Sequence, residues 1–190
     1  SGGMPHLGGP WLLAAAGDVL QLAAFGDALH HLEPLLAAEP GHAEALRLRA
    51  EALDATGDPA ALAAYRHAAD AIGEPVAHDL LAKAALAQVK QGDPKGALVL
   101  LAQLQPGSVE GRLAEALAYS GAAALGVADP TIGTAKAAVA RRLALQSGDT
   151  ASIVIASWAQ AAAAHARGEL HRRVWADLQE TAHVPHLAVR

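Results

Sequence analysis

Gly57-Asp58-Pro59 returns as Gly92-Asp93-Pro94, 35 residues further along the chain. The triplet carries the same conformational message at both places. Glycine takes the left-handed backbone that ends a helix. Aspartate accepts hydrogen bonds from the free N–H groups of the helix that follows, and proline fits its first turn. A helix stop joined directly to a helix start, repeating in the mid-thirties, predicts stacked helical hairpins.

The residues between these marks point the same way. Apolar residues make up 53% of the chain and aromatics only 3%, with alanine the commonest. Alanine favours helix and lets helices approach closely. Runs of β-branched or aromatic residues are nearly absent, Ser152 to Ile155 being the short exception. The class is all-α, and 190 residues can bury a core without disulfides or a metal. The absence of cysteine excludes disulfides, thiolate metal sites and cysteine nucleophiles. Asparagine is also absent and the one methionine is Met4, a usage associated with GC-rich genomes.

Ser1-Gly2-Gly3 ahead of Met4 reads as a vector-derived leader, so residues 1–4 are set apart from one helical-repeat domain over 5–182. Residues 183–190 contain Val184-Pro185 and no cap, and read as a frayed or cut tail. The longest apolar stretch, Ala151 to Ala164, is interrupted by Ser152, Ser157 and Gln160. It is shorter than the ~20 apolar residues a bilayer span needs. No membrane span and a cytoplasmic location are the expectation.

Punctuation places the helices in pairs: 10–25 with 27–38, 42–56 with 59–72, and 76–91 with 94–105. Further pairs are 108–125 with 129–146, and 150–167 with 169–182. Pro34 falls inside the second pattern and predicts a kink or a later start. Asp129-Pro130 repeats the cap-and-proline start, while Gly121 and Gly168 read as weaker copies of the Gly-Asp turn.

On these residues the chain resembles the tetratricopeptide repeat proteins, above all over 43–105. Aligning each Gly-Asp turn with the family's inter-helix turn puts Ala50, Ala85, Ala69 and Ala97 at its small positions. Leu46, Leu53 and Leu81 then take large packing positions, and Ala114 and Ala161 are the small sites of the weaker matches. Leucine or alanine replaces most of the family's bulky aromatics, and repeat-end prolines occur only as Pro40, Pro75 and Pro106. The resemblance implies a right-handed α-solenoid of about five antiparallel helical hairpins, whose concave groove binds a peptide or helix of a partner protein. No cofactor is implied.

Carried over position by position, the resemblance puts Glu44, Arg47, Glu51 and Asp54 in that groove, followed by Asp79 and Lys90. Glu115, Tyr119, Trp158 and His165 complete the set. The first four share a helical face, which serves equally to line a groove or to solubilise an exposed helix. For Trp158, filling the core among small alanines is the favoured role. The chaperone-binding members' carboxylate clamp of lysines and asparagines cannot be assembled from four lysines and no asparagine. Residues 1–105 carry 12 acidic against 6 basic groups, so the groove is expected to be partly acidic and its partner segment basic or helical. Pro10-Trp11-Leu12-Leu13 is the candidate apolar edge for self-association.

Arg167, His171, Arg172 and Arg173 form a basic cluster. Such a cluster is more often a solvated helix face than a nucleic-acid footprint. The competing reading is a sensory or regulatory segment of a larger bacterial transcription regulator or signalling protein, with this cluster touching nucleic acid. Ten histidines raise the question of metal binding. His30 and His31 diverge on a helix, His165 and His171 straddle Gly168, and His183 and His186 lack a carboxylate companion, so no metal site is expected. Neither a nucleophile elbow, a phosphate loop nor a dinucleotide glycine pattern occurs. The expectation is a binding protein, not an enzyme.

Overall fold

The computed structural model describes residues 9–169. Among the described residues all regular structure is helical: α1 (Gly9–Gln21), α2 (Phe25–Ala38), α3 (Ala43–Ala55), α4 (Ala61–Ile72), α5 (Val76–Lys90), α6 (Pro94–Leu101), α7 (Val109–Ala124), α8 (Pro130–Ser147) and α9 (Thr150–Ala166). The expected helix over 169–182 and the tail lie outside the described residues, apart from Glu169.

The helix starts follow from local chemistry. Asp93 accepts from the N–H of Gly96 at 2.9 Å, Asp149 from Ser152 at 2.9 Å and Asp129 from Thr131 at 2.8 Å. Pro94 and Pro130 occupy first turns. At the first triplet the expectation fails: α4 starts at Ala61 behind Ala60 with no side-chain cap, so Pro59 lies in the turn and Asp58 accepts only from Ala60, at 2.8 Å. Gly57 and Gly92 have φ of 71° and 90°, the left-handed conformation that the triplets predict.

The end of α1 at Gln21 and the starts of α2 at Phe25 and α4 at Ala61 differ from the expected 25, 27 and 59, and three further features depart from the pattern. Pro34 neither ends nor delays α2, which runs through it at an exposed position. Helix α6 stops at Leu101, because side chains of α5 take up the backbone N–H groups of the following loop. His78 Nδ1 accepts from Gln105, and Asp79 accepts from Gly107 and Ser108. Gly121 is no turn: it lies within α7, where a Cβ would stand 3.1 Å from Val89 Cγ1 of α5, and the left-handed glycine of that hairpin is Gly126.

Helices adjacent in sequence pack together from α1·α2 to α8·α9, and α1 also meets α3, α5 meets α7 and α7 meets α9. The core between them is built from small side chains. Ala50, Ala85 and Ala97 are fully buried, with Ala69 nearly so, while Leu81 and Ala161 are only partly buried. Leucines supply the larger contacts: Leu46, Leu53 and Leu80 join Tyr65 around α3, α4 and α5. The largest fully enclosed side chains are Leu32, Glu115, Pro106 and Ser120, so close helix approach replaces aromatic filling. Among the described residues no helix is long and apolar enough to cross a membrane.

Candidate functional site

Helix α3 carries its charges along one side. Arg47 donates to Glu44 through Nε at 2.8 Å and to Glu51 through a terminal nitrogen at 2.8 Å. Glu51 also accepts from Lys83 of α5 at 2.7 Å, and Asp54 accepts from Lys90 of α5 at 2.9 Å. The hydrogen bonds from Arg47 hold the Glu44 carboxyl below its ordinary range, and Glu44 in turn raises Arg47 further. Glu44, Glu51 and Asp54 therefore face Arg47, Lys83 and Lys90, three anions against three cations. This part of the surface is charge-balanced. Tyr65 of α4 is 2% exposed; burial pushes its phenol well up, with nearby Asp54 and Glu51 adding to the rise.

A second cluster lies between α7 and α8. The Glu115 side chain, only 2% exposed, accepts from Lys136 at 2.6 Å and from Arg112 at 3.2 Å. The Lys136 ammonium stands 5.7 Å from the centre of the Tyr119 ring, within cation–π range. Glu115 thus ties α7 to α8 from inside. Asp79 is also committed to the fold, as the acceptor for the loop before α7.

The remaining candidates separate. Trp158 is 53% exposed, against the core role expected of it. Helix α9 buries Ser152, Val154, Ala156, Ser157, Ala159, Ala163 and Ala164, a close-packed strip with no space for an indole. His165 is exposed in the last turn of α9. Arg167 pairs with Glu169 at 2.7 Å, while His171, Arg172 and Arg173 lie outside the described residues, as do His183 and His186. Trp11 is 79% exposed at the α1 end. Among the described residues no three His, Asp or Glu side chains converge as a metal site would require.

What joins the odd-numbered helices is a cleft of about 370 Å³. Leu86 of α5, Leu113 and Leu117 of α7 and Ile155 of α9 give it apolar walls. Asp54, Tyr65 and Lys83 border it on one side; Glu110, Asp149 and Ser152, all in or beside the first turns of α7 and α9, border it on another. Of the sequence candidates, only Asp54 lines this cleft.

One signal could have found Lys83. Glu51 and Lys83 are 32 residues apart, and Asp54 and Lys90 are 36 apart. Opposite charges separated by about one repeat length are candidates for pairing between consecutive hairpins. No such signal marks Leu117 or Ile155, whose spacing equally suits core positions.

Compared with protein-family models, with curated proteins and with solved structures, the chain gives no match.

Proposed function

We propose that this chain is a non-catalytic peptide-binding module, a right-handed solenoid of about five tetratricopeptide-like hairpins that holds a segment of a partner protein against its odd-numbered helices. The observation that carries this reading is the cleft across α3, α5, α7 and α9, with Leu86, Leu117 and Ile155 between charged rims. Apolar walls supply most of the binding free energy at such sites, and polar groups at the edge fix orientation. The left-handed glycines at 57 and 92 and the buried alanines at 50 and 85 support the repeat reading. The charge-balanced α3 face supports an apolar anchor over a purely ionic one.

A random peptide library displayed on phage, selected against the purified chain, tests the proposal. Selected peptides should lose binding by about tenfold or more on Leu117→Glu. They should bind normally to Val99→Glu, which lies on the exposed side of α6 outside the cleft. Equal binding to both variants, with helicity retained, sinks the groove assignment.

A further inference from the structure

Tyr65 is buried nearly completely, yet its hydroxyl makes no hydrogen bond among the described residues. The enclosed side-chain polar atoms left without a partner are Gln88 Oε1 and Ser120 Oγ. The Tyr65 hydroxyl is not one of them, and Tyr65 is among the residues that line the cleft. A phenol with its ring packed in the core and its hydroxyl opening into a cleft is a fixed polar anchor, because little rotamer freedom is lost when it bonds.

The opposite border is acidic. Glu110 has no cationic partner among the described residues, and Asp149 spends its carboxylate on the N–H and hydroxyl of Ser152. Lys83, the cation on the cleft, is already held by Glu51. The unneutralised charge of the cleft is therefore negative and sits beside the starts of α7 and α9.

Hydrogen bonding decides the backbone form of the occupant. The interior carbonyls of an α-helix already accept hydrogen bonds within the helix. An extended segment enters with a few residues, and its backbone groups, unlike those of a helix interior, still need partners when buried. The Tyr65 hydroxyl is such a partner for a carbonyl.

We propose that the cleft takes an extended aliphatic peptide segment, one of whose backbone carbonyls accepts a hydrogen bond from Tyr65 and whose Lys or Arg side chain meets Glu110. This rests on the peptide-binding reading and narrows it to one occupant class: extended, apolar and basic at one end.

The same phage-displayed library separates the two levels. Peptides selected on the unmodified chain should be enriched in Lys or Arg next to aliphatic residues. Selection on Glu110→Lys should shift the enrichment to Asp or Glu, and Glu110→Gln should weaken it. The basic peptides should bind Tyr65→Phe about five- to tenfold more weakly, at an unchanged unfolding temperature. Loss of binding on Leu117→Glu, together with unchanged selection on Glu110→Lys or unchanged affinity on Tyr65→Phe, overturns this inference and leaves the groove standing. A library that yields no binder, or binders indifferent to Leu117→Glu, overturns both.

Discussion

Two glycines show how single positions hold this molecule together for different reasons. At Gly92, φ is 90°, so a side chain there strains the backbone although space is open around it. Gly111 has ordinary backbone but no space: a Cβ would overlap the Asp79 carboxylate that captures Gly107 and Ser108. Gly92→Ala should cost about 1 kcal/mol. Gly111→Ala should cost about 2 kcal/mol, since Asp79 must move and release the loop. Urea unfolding followed by circular dichroism measures both, and the order of the two costs is the prediction. Glu115 poses the opposite problem of a charge without water. Lys136→Met leaves it with only the 3.2 Å contact to Arg112, and should destabilise by about 3 kcal/mol in the same assay.

Helix termini are where the elements respond to pH. Asp93, Asp129 and Asp149 are all held below the ordinary carboxylate range. For Asp93 and Asp129 the chief cause is a backbone N–H at the start of the next helix; for Asp149 it is the Ser152 hydroxyl, then its N–H. A carboxyl whose native pKa is lowered stabilises the fold above its unfolded value and loses that contribution as pH falls through the native one. Aspartates in unfolded chains titrate near pH 4. The thermal midpoint should therefore stay level above about pH 5 and fall steadily toward pH 2. Asp93→Asn should flatten part of that slope, and an unchanged slope in the variant would refute the capping account.

At the scale of the whole molecule, consecutive hairpins are joined by apolar burial, with ion pairs laid over the joint. Glu51–Lys83 and Asp54–Lys90 bridge α3 and α5 across partly exposed surface. Such pairs contribute about 0.2–1 kcal/mol and are screened by salt. A double-mutant cycle on Glu51→Ala and Lys83→Ala should give a coupling in that range, smaller in 1 M salt. A coupling of several kcal/mol would mean that the charges, and not Leu46, Leu80 and Tyr65, hold the second hairpin to the third.

The helices and their turns were legible in the sequence because capping and left-handed glycine act within a few residues. Gly57, Asp93 and Asp129 announce themselves without any knowledge of their surroundings. Gly121 misled because a glycine required by Val89 of a neighbouring helix looks the same in sequence as one required by a turn. The cleft was harder still. Asp54 was legible, whereas Tyr65 comes from α4 and Glu110 and Leu117 from α7, and Trp158 has the composition of a core residue but faces water. By itself the sequence determined an all-helical chain, its start and stop signals and the small residues at the close contacts, because these depend on local backbone geometry. Only the tertiary structure decided which charges cancel, which phenol is left open and where the odd-numbered helices leave a cleft, because these depend on distances between residues one repeat or more apart.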